Sequence, residues 1–126
     1  MTIHESSEDY LENILILSER LGRVRSIDIV NEMNYSKPSI SVAMKKLREK
    51  GCIEVDREGF ITLTAAGRAI AEKIYGRHRL LEKVLFSLGV DKKTASDEAC
   101  RIEHDISDDT CDRIRDYYAK HMKSRA

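Results

Sequence analysis

The chain has 126 residues, 41% hydrophobic and 35% charged, with 22 Lys+Arg against 22 Asp+Glu. That length suits one domain or two small ones sharing a core. No apolar run approaches the roughly 18 residues of a spanning helix, and the start MTIHESSEDY is too acidic for a secretory leader, so a cytoplasmic protein without a membrane partner is expected. Three cysteines (Cys52, Cys100, Cys111) argue against a disulfide framework, and one Pro with six Gly argues against a turn-rich all-β chain.

Ser6-Ser7-Glu8-Asp9 predicts a helix start with acids in its first turn, where the helix dipole favours them. Tyr10, Ile14, Leu17 and Leu21 recur at helical spacing, and Gly22 ends the run. Ser26 is expected to cap a short second helix over 27–33. A third helix over 37–50 has Pro38 in its first turn, where proline is tolerated, and an apolar stripe of Ile40, Met44 and Leu47. Two alternating runs, 52–55 and 60–63, joined by Asp56-Arg57-Glu58-Gly59, predict a hairpin. Thr64 is expected to cap a long fourth helix to Leu88, with Ile70, Ile74, Leu81, Val84 and Leu88 as its stripe. Asp91 starts a fifth helix to about Ile106. Ser107-Asp108-Asp109 caps a sixth, which carries Cys111, Ile114 and Tyr118 on one face, and the tail from Lys120 is expected to fray.

The zero net charge covers an uneven distribution. Residues 1–21 carry five acids and one base, whereas 36–50 carry Lys37, Lys45, Lys46, Arg48 and Lys50 against Glu49 alone. Most such clusters are solvated faces. Here the cluster lies on the third helix of a three-helix-plus-hairpin order, which is the winged helix-turn-helix order. In that fold the third helix enters the major groove and the wing reaches the flanking backbone. The candidate DNA contacts are therefore Ser36, Lys37, Pro38, Ser39, Ser41, Val42, Lys45 and Lys46 on the third helix, and Arg57 in the wing.

A second constellation is chemical. Asp9 and Glu12 are i, i+3 on the first helix; His78 lies in the fourth; Cys100, Glu103 and His104 are i, i+3, i+4 in the fifth. Carboxylate, imidazole and thiolate are donors for a divalent transition metal. Taken singly, each piece is more often a solvated pair or a small core residue.

Three strings, Ser7-Glu8-Asp9-Tyr10-Leu11-Glu12, Arg77-His78-Arg79-Leu80-Leu81-Glu82 and Asp97-Glu98-Ala99-Cys100-Arg101-Ile102-Glu103-His104, resemble the diphtheria-toxin-repressor family of metal-dependent transcriptional regulators. The resemblance covers essentially the whole chain and is nearest to the short, manganese-transport-regulator-like branch without an SH3-like domain. It implies a mainly α protein: a winged helix-turn-helix DNA-binding domain over 1–64, then a linker helix and helical metal-binding and dimerisation domain over 65–126. It implies Asp9, Glu12, His78, Cys100, Glu103 and His104 as ligands. Asp9 and Glu12 match the manganese branch, and Cys100 the iron-type branch, so Mn(II) or Fe(II) is the expected metal. The iron-type ancillary site is incomplete at Ser96-Asp97, although His78 and Glu82 remain. Because ligands bind deprotonated, metal affinity is expected to fall in acid.

The expected function is a homodimeric, metal-dependent repressor that reads an inverted-repeat operator in double-stranded DNA and, by resemblance, controls metal-uptake genes. Leu81, Leu85, Leu88, Ile106 and Ile114 are candidates for the dimer core. The alternatives are a metal-independent winged-helix regulator and a metallohydrolase. The enzyme is disfavoured because the sequence has no Gly-rich phosphate loop and no nucleophile elbow.

Overall fold

A computed structural model describes residues 5–122. Its elements are α1 (Glu5–Leu21), α2 (Ser26–Met33), α3 (Lys37–Glu49), β1 (Ile53–Val55), β2 (Ile61–Leu63), α4 (Ala65–Ser87), α5 (Lys92–Ile102) and α6 (Asp108–His121). The chain forms two compact units, 1–73 and 74–126, and their boundary falls inside α4. The expected class holds: a mainly α chain with a winged helix-turn-helix first and helices after it. Among the described residues no helix is long and apolar enough to cross a membrane.

In the first unit the helical stripes turn inward. Leu11, Ile14 and Leu17 of α1, Ile29 of α2, and Ile40 and Leu47 of α3 are all buried. Leu21, expected on the α1 stripe, is instead 50% exposed, because Gly22 at φ +84° ends the helix there. The helix also starts earlier than the expected cap, since Glu5 is already helical. Ser26 does not cap α2. The cap is Arg25, whose N–H donates to Asp28 Oδ2 (2.9 Å), while Asp28 N–H donates to Arg25 O (3.0 Å). Asn34 in the left-handed region (φ 59°) turns the chain from α2 into α3.

The wing pairs β1 and β2 antiparallel, with Val55 opposite Ile61. Both strands begin one residue later than the alternation suggested; Cys52 N–H donates to Leu47 O, tying the chain back to α3. Asp56 Oδ1 accepts from Glu58 N–H (3.0 Å) and Phe60 N–H (2.9 Å), which closes the loop. An unforeseen third segment joins the hairpin: Ile61 N–H donates to Val24 O (2.7 Å) as an isolated antiparallel bridge. Thr64 Oγ1 accepts from Gly67 N–H (3.1 Å) and donates to Gly51 O (2.7 Å), so one side chain caps α4 and anchors the end of α3.

In the second unit Leu80, Cys111 and Tyr118 form a buried cluster with Val84, Ile106, Ile114 and Met122 packed around it. Leu88 lies beyond the end of α4 and is 67% exposed. Asp91 caps α5 by accepting from Thr94 N–H (3.2 Å); the Thr94 side chain first, and this backbone N–H second, hold its carboxyl below the ordinary value of 3.8. Ser107 caps α6 through Thr110 N–H. Lys120 and His121 are helical; the rest of the expected frayed tail, 123–126, lies outside the described residues.

Candidate functional site

The α3 surface is built for contact. Ser36 caps it, its Oγ accepting from Ser39 N–H (3.2 Å) and donating to Ser39 Oγ (2.8 Å), and Pro38 presets the first turn. With Ile40, Met44 and Leu47 inward, Ser36, Lys37, Pro38, Ser39, Ser41, Val42, Lys45 and Lys46 all face solvent. Val42, 55% exposed, is a large apolar side chain in the middle of that face. An open groove of about 720 Å³ runs between the start of α1 and α3, lined by Tyr10, Pro38, Ser39, Val42, Lys46 and Lys50. A smaller one of about 290 Å³ lies between α2 and α3, with Ser26, Ile27, Lys37 and Ser41 on its walls. Arg57 is exposed in the wing loop.

The donor cluster of the second unit centres on Glu103, whose side chain is fully buried. His78 uses both ring nitrogens: Nδ1 lies 3.1 Å from Glu103 Oε2 and Nε2 lies 3.1 Å from Glu82 Oε2. His104 Nε2 lies 3.4 Å from Glu103 Oε1, yet that oxygen has no hydrogen-bond partner. An orphaned buried carboxylate oxygen costs stability unless something positive completes it. The ligand atoms of His78, Cys100 and Glu103 all lie within 4.8 Å of one another, close enough to share one ion. These three residues therefore fit a divalent cation, offering an imidazole, a carboxylate and an exposed thiol.

The local backbone explains the cluster and corrects one expectation. The fifth helix ends at Ile102 rather than near Ile106, yet Glu103 keeps right-handed helical angles (φ −57°, ψ −25°) and its N–H still donates to Ala99 O, so it stays on the Cys100 side of the turn. Glu103 is the C-cap of α5, and Asp105 N–H turns back to Ile102 O in a tighter turn. The cause is Arg77, which sequence reasoning met only as a member of a motif. Its buried guanidinium donates to Glu103 O (3.1 Å) and Ile106 O (2.8 Å) and pairs with Asp108. Carbonyls taken by Arg77 end the helix and aim Glu103 inward. On α1 of the first unit, Glu12 is buried and Asp9 half-buried. Beside Asp9 the Tyr10 phenol is held above its ordinary value of 10.0, first by burial and then by Tyr35 and Asp9.

An exposed, capped α3 between a bracing helix and a wing, in one chain with a buried carboxylate ringed by imidazole and thiol donors, defines a winged-helix regulator that carries its own metal-donor cluster. The chain belongs to the iron-dependent repressor family: that family's N-terminal DNA binding domain matches residues 2–59, and its metal binding and dimerisation domain matches residues 64–124. It is a metal-dependent, DNA-binding transcriptional repressor that dimerises, and not an enzyme. An uncharacterized HTH-type transcriptional regulator of Methanocaldococcus jannaschii is 34% identical over 118 residues, 92% of this chain and 94% of that protein. The transcriptional regulator MntR of Escherichia coli is 32% identical over 117 residues, 93% of this chain and 76% of that protein. Among solved structures, a manganese-dependent transcriptional repressor in complex with manganese is 34% identical with a TM-score of 0.80. The match takes in 90% of this chain but 51% of that one, so this chain spans about half of that longer regulator.

Proposed function

We propose that this chain is a co-repressor-dependent switch in the cytoplasm, with Mn(II) or Fe(II) as the co-repressor. His78, Cys100, Glu103 and His104 of the second unit, with Asp9 and Glu12 of α1, form the ligand set. The observation that carries this reading is the fully buried Glu103, one oxygen of which accepts no hydrogen bond, beside two imidazoles and a thiol. The manganese named for the solved relative and the iron named for the family support the same choice of metals. Residues 1–64 act as the DNA-binding domain, and 65–126 as the linker helix with the metal-binding and dimerisation domain.

When bound, the ion supplies the positive charge that the Glu103 oxygen lacks. It raises DNA affinity only as far as it binds the DNA-competent population more tightly than the other. The homodimer reads an inverted repeat, because two-fold protein symmetry presents two copies of α3 about one helical turn apart or a small multiple of that. Ser36, Pro38, Ser39, Ser41 and Val42 meet base edges and thymine methyls; Lys37, Lys45, Lys46 and Arg57 meet phosphates. The regulated genes are those of metal uptake, and no membrane partner is required.

The test is a gel shift on a candidate uptake-gene promoter across Mn(II), Fe(II), Co(II) and Zn(II), with and without chelator. Metal should produce the shift and chelator abolish it. His78→Ala, Glu103→Ala and His104→Ala should fail with every metal while remaining dimers by gel filtration. A shift indifferent to chelator would instead support a metal-independent winged-helix regulator.

A further inference from the structure

The bridge between Val24 and Ile61 has a consequence for charge. Val24 is fully buried, so its neighbours Arg23 and Arg25 both project outward, as alternate residues of an extended segment do. Both guanidiniums sit over a single ring: Arg23 Cζ lies 4.9 Å and Arg25 Cζ 4.3 Å from the centroid of Phe60, at the base of the wing. Neither guanidinium pairs with a carboxylate among the described residues. The nearby acids are engaged with backbone, Asp28 with Arg25 N–H and Asp56 with Glu58 and Phe60 N–H. Two unpaired like charges held on one ring repel each other, and an anion between them would relieve that repulsion.

The wing loop needs this help. Asp56-Arg57-Glu58-Gly59 carries two acids and one base, a sum of −1, so Arg57 alone cannot make the wing attractive to a phosphate. Adding Arg23 and Arg25 brings the sum to +1. Arg25 is also the cap of α2, beside the groove lined by Ser26, Ile27, Lys37 and Ser41 that leads to the exposed start of α3. A guanidinium stacked by one face keeps its edge of N–H donors free, and that edge matches the oxygens of a phosphate.

We propose that Arg23 and Arg25, held on Phe60, form a second phosphate-binding station that takes the phosphodiester backbone of the duplex read by α3. The inference rests on the DNA-binding reading above and adds to it a site on the α1–α2 connection. The ring immobilises both side chains in advance, so less conformational entropy is lost on binding.

The experiment measures affinity of the full-length dimer, with Mn(II), for a short duplex of mixed sequence across a range of salt. Arg23→Gln and Arg25→Gln should each lower the slope of log affinity against log salt by about 1 per contact, or about 2 for the symmetric dimer. Arg25→Lys should keep the slope, because it keeps the charge, while binding more weakly than wild type. Lys45→Ala is run beside them. If Lys45→Ala lowers the slope and both Gln variants leave it unchanged, the station is overturned and the α3 interface stands. If no variant changes the slope, the DNA reading falls as well. Equal loss of affinity in Arg25→Lys and Arg25→Gln at unchanged slope would mark a packing role and overturn the inference. Should a Gln variant fail to fold, Phe60→Leu replaces it: affinity should fall several-fold with the slope retained, and unchanged affinity would count against the station.

Discussion

Arg77 shows how one residue decides where a ligand points. Its guanidinium satisfies two carbonyls at the end of α5 and one carboxylate at the start of α6. Hydrogen bonds to a charged partner contribute about 1.5–3 kcal/mol each, and a buried acceptor left without a donor costs a comparable amount. Arg77→Met fills the volume but donates nothing. It should lower stability in urea by about 3 kcal/mol and weaken metal binding, although Arg77 is no ligand, because Glu103 loses the cap that aims it. A variant as stable as the parent would show that water replaces the guanidinium. At this scale the sequence was readable where chemistry resides in side-chain type. His78, Cys100, Glu103 and His104 are legible as possible donors from residue type, although each taken singly reads more often as a solvated or small core residue. The role of Arg77 is not legible, because its partners are mostly backbone carbonyls, which every residue carries and no sequence pattern marks.

Among the elements, α4 depends on a contact that admits only glycine. A Cβ on Gly67 would lie 2.0 Å from the carbonyl oxygen and 2.9 Å from the carbonyl carbon of Cys52, both backbone atoms. The same carbonyl accepts from Thr64 N–H (3.0 Å), so the hairpin and the first turn of α4 are locked at close approach. Gly67 is itself buried against that carbonyl, although alanine there would be the better helix former. Here overpacking wins, and a loss of about 3 kcal/mol is expected. Thermal unfolding with the alanine variant melting at or above the parent temperature would contradict the close approach. The elements themselves were largely visible: helical spacing marked all six helices, and alternation marked the hairpin. The misjudged details have physical causes. The end of α5 is set by Arg77 from another helix, the cap of α2 by a backbone pair at Arg25 and Asp28, and the Val24 bridge involves one residue of the α1–α2 connection. Tertiary contacts decide the first and the third, a local bond between residues three apart decides the second, and none leaves a periodic trace.

For the whole molecule, zero net charge conceals an acidic α1 and a basic α3, and metal control must be expressed as a preference among folded populations. An ion that binds only the folded protein stabilises it by about 2.7 kcal/mol at one hundred times its dissociation constant, so melting temperature reads metal affinity without DNA. Mn(II) and Co(II) should both raise the melting temperature of the parent chain, and Glu103→Ala should abolish both shifts. Cys100 is exposed, so exchanging it perturbs little packing. Cys100→Glu trades a soft donor for a hard one, which suits Mn(II) better than Co(II). The ratio of the Mn(II) to the Co(II) shift should therefore rise, even though nitrogen and sulfur donors intrinsically favour cobalt over manganese. The ratio decides the matter, since a change in general stability moves both shifts together. If the two shifts change in parallel, Cys100 lies beside the ion without selecting it, and the choice of metal rests on the carboxylates and imidazoles alone.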